Sequence, residues 1–294
     1  MYDTILVPTD GSDHAQRAAA HARQLATAFD AAVHVLAVVD VSDAAGPFNA
    51  GGVDEAYVEQ LEADVSDGVD GATRLLGADL TVQTTLRRGE PAKEILAYAE
   101  EVDVDALAMG THGRTGVQRF VAGSVTETVL RKSPVPVLTV RATERSDARG
   151  SYDEILLPTD GSEAASVAFD HGIAVASAFD ARIHAVNVVD IAAVANEEPL
   201  PSNVLDIRGE AGQNAVEAVA TQAREADLDV VTAVREGYPA SDLLDYAEEN
   251  EIDLIAMGTA GQTGLSRFLL GSTTERVVRH AEIPVLAVNA RREE

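Results

Sequence analysis

Short β-branched hydrophobic runs alternate along the chain with longer Ala-rich stretches in which apolar and polar residues recur at helical spacing. Runs such as Ile5-Leu6-Val7 are apolar on both faces, which is typical of strands in a parallel sheet covered by helices on both sides. The predicted strands of the first half are Thr4–Pro8, Ala32–Val39, Asp79–Arg87, Ala106–Gly110 and Val135–Val140. The predicted helices are Ser12–Phe29, Val53–Leu76, Pro91–Glu101 and Ser124–Lys132. This alternation predicts a doubly wound α/β fold.

The same pattern occurs twice. Residues 2–12 read YDTILVPTDGS and residues 152–162 read YDEILLPTDGS, with nine of eleven positions identical at an offset of 150. Later segments match at an offset of 148. Because this period is far longer than that of solenoid repeats, each copy is predicted to be a domain with its own core. We assign residues 1–141 to the first domain, the polar run 142–151 to a linker and residues 152–294 to the second domain.

A glycine-containing loop follows the fourth strand of each copy. In the first copy, Gly110-Thr111-His112-Gly113 is followed by nine residues and then by Gly123-Ser124, and the second copy repeats this spacing up to Gly271-Ser272. Glycine lets a backbone approach a bulky anion closely, and a helix start offers free N–H groups. The loops therefore predict a triphosphate site, beyond the carboxyl ends of the strands where such sheets bind ligands.

A purely structural role for these loops is the alternative. The glycines would then only form turns, and Ser124 would only cap its helix. Ser124 with Glu127, and Ser272 with Glu275, have the spacing of a capping box, which predicts that each serine fixes the start of its helix. The occurrence of the full spacing in both copies favours the phosphate site.

These motifs resemble the ATP-binding branch of the universal stress protein family, whose loop has the pattern G-x2-G-x9-G-[ST]. The resemblance covers essentially the whole chain as two family domains in tandem. It implies a five-stranded parallel sheet of order 3-2-1-4-5 in each domain, with helices on both faces. It also implies pairing of the two domains through their fifth strands, and a homodimer is a further arrangement left open.

The resemblance also implies which residues contact an adenine nucleotide, with the backbone of Val38 and Val188 bonded to the base. In the first domain they are Pro8, Thr9, Asp10, Val38, Gly110, Thr111, His112, Gly113, Arg114, Thr115, Gly123, Ser124, Val125 and Thr126. In the second domain they are Pro158, Thr159, Asp160, Val188, Gly258, Thr259, Gly261, Thr263, Gly271, Ser272, Thr273 and Thr274. The second domain has Ala260 and Gln262 where the first has His112 and Arg114, so its site is expected to bind ATP more weakly and to accept AMP or ADP.

Asp10 and Asp160 would repel phosphate unless a divalent cation lay between them. Mg²⁺ binds through one or two carboxylates together with waters and phosphate oxygens, so each aspartate is a candidate Mg²⁺ ligand or ribose contact. The alternative is that each caps the turn into the following helix. Arg119 and Arg267 could neutralise phosphate or hold the loop to the partner domain. The remaining histidines show no metal-ligand spacing and are interpreted as structural: His14, His21, His34, His171, His184 and His280.

Charge and composition narrow the function further. The chain carries 49 Asp and Glu against 22 Lys and Arg, a net charge of −27, and only Lys93 and Lys132 are lysines. Such a surface is screened at molar ionic strength, which favours a protein of a salt-accumulating halophile. The same charge argues against a nucleic-acid partner. We expect no membrane span and, because residue 1 leads directly into the first strand without a secretory leader, a cytoplasmic location.

Several enzyme classes are excluded by missing residues. The chain has no Cys, no G-x4-G-K-[ST] motif and no G-x-G, which excludes thiol chemistry, P-loop NTPases and the dinucleotide fingerprint. A lysine-poor phosphate site also argues against efficient phosphoryl transfer. The sequence therefore favours a regulatory module whose nucleotide state alters its choice of partner. A slow ATPase or adenylate-using enzyme, and a nucleotide-free interaction protein, are the two alternatives.

Overall fold

The computed structural model describes residues 1–40, 55–113, 123–195, 204–260 and 270–289. The chain forms two compact units, Met1–Ala148 and Arg149–Glu294. Each unit contains a five-stranded parallel sheet that packs against α-helices. The predicted fold class, two tandem doubly wound α/β domains, is confirmed.

The first unit has the strand order β3-β2-β1-β4-β5. Its strands are β1 (Thr4–Pro8), β2 (Ala32–Val39), β3 (Val82–Arg88), β4 (Ala106–Gly110) and β5 (Val137–Val140). Its helices are α1 (Asp13–Phe29), α2 (Glu55–Leu76), α3 (Pro91–Glu101) and α4 (Ser124–Lys132). The order reverses between β1 and β4, so the switch point lies where these two strands end.

The second unit repeats this arrangement with the order β8-β7-β6-β9-β10. Its strands are β6 (Glu154–Pro158), β7 (Arg182–Asp190), β8 (Val230–Gly237), β9 (Leu254–Gly258) and β10 (Val285–Val288). Its helices are α5 (Glu163–Ser166), α6 (Phe169–Phe179), α7 (Ile191–Ala195), α8 (Val204–Glu225), α9 (Pro239–Glu249) and α10 (Ser272–His280). The helix that corresponds to α1 is divided here into α5 and α6.

The central strands form the core of each unit. Ile5, Leu6 and Val7 are fully buried, as their apolar character on both faces predicts. Ile5 is in register with Val33 of β2 on one side and with Ala106 of β4 on the other. Burial of each such side chain contributes roughly 1.5–3 kcal/mol, and this fixes the central strands whose ends carry the candidate site.

Two predicted strands begin later than expected. β3 begins at Val82 because Asp79 lies in a turn, where it accepts a hydrogen bond of 2.9 Å from the Arg23 guanidinium. β5 begins at Val137 because the Ser133 hydroxyl donates to the Val135 carbonyl at 2.7 Å and holds that segment in a turn. Local side-chain contacts therefore shorten both strands at their amino ends.

The first part of the predicted linker 142–151 packs against the first unit. Ser146 is 0% exposed, and its carbonyl accepts a hydrogen bond of 2.9 Å from His21 Nε2. Arg17 pairs with Asp147. The division between the units falls after Ala148, inside that polar run. Among the helices in the described ranges, none has the length and apolar character needed to cross a membrane.

Candidate functional site

The ends of β1 and β4 bring Asp10 and Gly113 together in the first unit. A Cβ atom on Gly113 would lie 2.7 Å from Asp10 Oδ2, so the glycine allows the carboxylate to sit against the loop. Asp10 Oδ1 accepts a hydrogen bond of 3.0 Å from the Ser12 amide, and Asp160 makes the same contact with Ser162. The turn contact proposed as an alternative for both aspartates is therefore present. The helix cap itself is Ser12, whose hydroxyl accepts from the Ala15 amide.

The backbone of β2 extends past the last residue of β1 with which it pairs, next to Asp10. The Thr9 amide donates to the Leu36 carbonyl at 2.8 Å, so Leu36 presents its backbone groups to the β1 side. The Gly89 amide donates to the Val39 carbonyl at 3.0 Å, so Val39 faces β3. Because backbone groups alternate sides along a strand, the N–H and C=O of Val38 face the β1 side, beyond the residues of β1 that pair with β2.

The second unit has the same edge at Val188. The Thr159 amide donates to the Val186 carbonyl at 2.9 Å, and the pairing of β6 with β7 ends at Pro158 and Val186. Two residues farther along β7, the backbone groups of Val188 face the space that β6 leaves. One donor and one acceptor at this spacing suit the hydrogen-bonding edge of a nucleobase.

The helices α4 and α10 begin one residue earlier than the capping-box spacing predicts. The cap of α4 is Gly123, with Ser124 as the first helical residue, and among the described residues no side chain caps this end. The prediction that Ser124 caps the helix is therefore wrong, and Gly271 takes the same role before Ser272. Glu127 instead pairs with Arg131 at 3.0 Å.

Two hydrogen bonds tie the start of α4 to the end of β4. The Gly123 amide donates to the Thr111 carbonyl at 2.7 Å, and the Thr126 hydroxyl donates to the Gly110 carbonyl at 2.8 Å. The first-turn amides of α4 therefore lie beside the strand exit, where a helix N-terminus favours an anion. The second unit repeats both bonds, at 2.7 Å and 2.8 Å.

A cavity of about 320 Å³ in the second unit joins the strand edge to the helix start. Both Val188 and the first turn of α10 line it, so the elements expected to hold a base and its phosphates border one space. The predicted residues that line it are Pro158, Thr159, Asp160, Val188, Gly258, Gly271, Ser272, Thr273 and Thr274. Thr259 is buried beside it and donates its hydroxyl hydrogen to Asn289.

The remaining predicted residues fall into two groups. In the first unit, Thr111 is buried and its hydroxyl lies 3.0 Å from His112 Nδ1. Val125 lies in the first turn of α4. Six further candidates lie outside the described residues, namely Arg114, Thr115, Arg119, Gly261, Thr263 and Arg267. In the described part of the chain, no group of three or more His, Asp and Glu side chains has the geometry of a metal site.

His14, which the sequence predicts to be structural, lies next to a predicted site residue. The His14 ring lies 5.1 Å from the ring of His112, at the mouth of the phosphate loop. His14 Nδ1 accepts a hydrogen bond of 3.0 Å from the Ala142 amide, which leaves that nitrogen unprotonated. Burial lowers the pKa of His14, and the neighbouring His112 lowers it further. Comparison of the two copies in the sequence distinguishes this position, because the second copy has Ala164 where the first has His14.

Comparison with known proteins finds one family in both halves of the chain. The model of the universal stress protein family matches residues 1–141 and 151–289. A universal stress protein of Methanocaldococcus jannaschii is 39% identical over 148 residues, which cover 49% of this chain and 85% of that protein. One from Mycolicibacterium smegmatis is 29% identical over 300 residues, which cover 98% of this chain and 97% of that protein. The crystal structure of one from Archaeoglobus fulgidus shares the fold, with a TM-score of 0.71 and 20% identity over 99% of this chain and 97% of that chain.

Proposed function

Because the chain belongs to the universal stress protein family, with two family domains in tandem, we propose that it binds adenine nucleotides and that its nucleotide state controls its interaction with a partner. The observation that carries the proposal is the cavity of the second unit, which joins the backbone edge of Val188 to the start of α10, where no side chain of the described residues caps the helix. A base can bond to the first and phosphates to the second. The corresponding edge and helix start are present in the first unit.

Each aspartate at a strand exit suits the proposed Mg²⁺. Asp10 and Asp160 each supply one carboxylate at the edge of the phosphate loop, and Mg²⁺ binds in such sites through one or two carboxylates and phosphate oxygens. The ion would offset the repulsion between carboxylate and phosphate. The backbone amides of Ser12 and Ser162 help to orient these aspartates, and the Ser162 hydroxyl also donates to Asp160 Oδ1 at 2.5 Å.

Mass spectrometry of the nucleotide released by heat from the native protein tests the proposal. We expect ATP, ADP or AMP, and we expect the empty protein to bind ATP in isothermal titration at molar KCl with Mg²⁺. A protein that carries no nucleotide and binds none in titration is instead a nucleotide-free interaction module. Single-turnover incubation with labelled ATP separates binding from slow hydrolysis.

Partner control needs its own comparison. We expect the proteins that co-purify with the native chain to differ from those that co-purify with the Gly123→Val/Gly271→Val double variant, in which both phosphate loops are blocked. An identical set would show that nucleotide binding has no regulatory role. Pairing of the two domains through their fifth strands belongs to the same proposal.

A further inference from the structure

Asn187 distinguishes the cavity of the second unit from the corresponding region of the first. It lies in β7 directly before Val188, it lines the cavity, and the residue is 7% exposed. The first unit has Ala37 at this position, 150 residues earlier. A buried amide has therefore replaced a methyl group beside the strand edge to which we assign the base.

The orientation of the Asn187 amide follows from its hydrogen bond. Asn187 Nδ2 donates to the Thr159 carbonyl at 2.7 Å. Because a carbonyl oxygen can only accept, the nitrogen of the amide must face Thr159, and the oxygen Oδ1 is left for another partner. Within the described ranges of the chain, no group donates a hydrogen bond to Oδ1. Oδ1 is therefore an acceptor that remains accessible at the wall of the cavity, and a ligand that supplies an N–H group there would give it a fixed donor.

Space for the amide comes from Gly212 of α8. A Cβ atom on Gly212 would collide with Asn187 Oδ1. The helix positions of the two units can be matched through the equivalent glycines Gly11 and Gly161. A Cβ on Gly161 would lie 3.4 Å from Ala215, and a Cβ on Gly11 would lie 3.1 Å from Gly68. Ala215 therefore corresponds to Gly68. Counting back three residues from each, Gly212 corresponds to Val65.

The two units therefore fill this position in opposite ways. The first combines Ala37 of the strand with Val65 of the helix, and the second combines Asn187 with Gly212. The two pairs have the same number of side-chain heavy atoms, but the second pair is smaller and adds a polar amide with one hydrogen-bond acceptor beyond the donor used by Thr159. Packing alone does not require that acceptor.

We propose that Asn187 Oδ1 accepts a hydrogen bond from the amino group of the base bound in the second unit. This inference rests on the proposed nucleotide binding. Adenine carries an amino group at the position where hypoxanthine, the base of ITP, carries a carbonyl. That carbonyl oxygen would face Asn187 Oδ1, and since both atoms are acceptors no hydrogen bond could form between them. The second unit thus selects ATP over ITP more strongly than the first unit does.

The test uses the full chain with one site blocked. Gly123→Val removes the first site, and isothermal titration at molar KCl then gives the dissociation constants of ATP and ITP for the second. In this background Asn187→Ala is expected to weaken ATP about fivefold, the effect of one hydrogen bond, and to leave ITP unchanged or tighter. The Asn187→Ala/Gly212→Val variant introduces the residue pair of the first unit, so that valine occupies the space vacated by the Asn187 amide. We expect the same loss of ATP-over-ITP selectivity in this variant.

The reciprocal exchange shows whether the acceptor is sufficient. In a Gly271→Val chain, Ala37→Asn/Val65→Gly is expected to raise the ATP-over-ITP ratio of the first unit about fivefold. Unchanged ratios in the folded variants, checked by circular dichroism, would overturn the role of Asn187 while leaving nucleotide binding intact. Absence of ATP binding to the unmodified chain would instead overturn the proposed function and this inference with it.

Discussion

His14 and His112 lie ring to ring in the first unit, with centroids 5.1 Å apart, whereas the second unit has alanine at both positions. The pair brings α1 to the beginning of the phosphate loop. Its loss in the second unit leaves Ala164 and Ala260 beside Gly258 and removes a hydrogen-bond donor from the loop. The two units therefore have the same strand order and the same backbone hydrogen bonds at the phosphate loop, but they differ in the side chains that could contact phosphate.

Unequal affinity of the two sites follows from this difference. The second loop lacks both His112 and Arg114, so we expect the second site to bind ATP about tenfold more weakly. Titration of the full-length Gly271→Val chain reports the first site, and titration of the Gly123→Val chain reports the second. His112→Ala in the former should move its affinity toward that of the latter. Equal affinities, or a tighter second site, would show that these side chains do not contact phosphate.

Blocking the phosphate loop should abolish ATP binding without unfolding the unit. Gly123 has a φ of −53°, which valine tolerates, and its Cβ would lie 3.3 Å from the Thr111 carbonyl. The added methyl groups would occupy the space before the first amides of α4, so we expect ATP affinity to fall at least tenfold in that unit. Titration calorimetry together with a thermal melt measures both effects.

A matched control is available in α2. A Cβ on Gly71 would meet nothing within 4 Å, so Gly71→Ala should bind ATP as the unmodified chain does and should be slightly more stable. If Gly123→Val retained full ATP affinity, or if Gly71→Ala also lost it, the loop would not be the phosphate site.

The parallel sheets could be predicted because their signal is local. Strands such as β1 and β4 are short apolar runs with turn residues at their ends, and the duplication shows the same pattern twice. The range of α4, Ser124–Lys132, could also be predicted, but its capping residue could not be identified in this way. Spacing of Ser124 and Glu127 suits a capping box, but the bonds from Gly123 to Thr111 and from Thr126 to Gly110 begin the helix one residue earlier.

The side chains that separate the two sites depend on contacts between distant segments. Nothing within α1 indicates that His14 meets His112, since the contact exists only after β1 and β4 have paired. The role assigned to Asn187 likewise depends on Gly212 of α8, which is 25 residues away in the chain and meets it only in the folded unit. Alignment of the two copies could have marked both positions, because each changes residue type between the copies.

Acid should destabilise the first unit through His21. Burial lowers the pKa of His21 to about 4, against an ordinary value of about 6.5, so the folded unit holds this ring neutral while the unfolded chain protonates it. The stabilisation is present above pH 6.5 and is lost as the pH falls from 6.5 to 4, by about 3 kcal/mol in total. Urea unfolding at pH 7.5 and at pH 4.5 measures this difference.

His21→Gln is the control for that titration. Glutamine keeps a donor for the Ser146 carbonyl, which His21 Nε2 reaches at 2.9 Å, but does not titrate. We expect the variant to be less stable at neutral pH and to lose part of the pH dependence below pH 6.5. The same pH dependence in both proteins would assign acid unfolding to other groups, among them His14, whose pKa is also lowered by burial.

Salt dependence should reveal the reason for the acidic surface. The net charge of −27 places many carboxylates close together, and only 22 Lys and Arg side chains are present to offset them. At molar KCl the Debye length is about 3 Å and repulsion is screened, whereas at 0.1 M it is about 10 Å and neighbouring carboxylates interact. We therefore expect the melting temperature to fall steeply as KCl is lowered from molar concentration to about 0.1 M. Tetramethylammonium chloride at the same ionic strength should restore most of the stability if screening is the cause, because it screens as KCl does. A melting temperature that does not change over this range would contradict adaptation to high salt, and the surplus of Asp and Glu would then need another explanation.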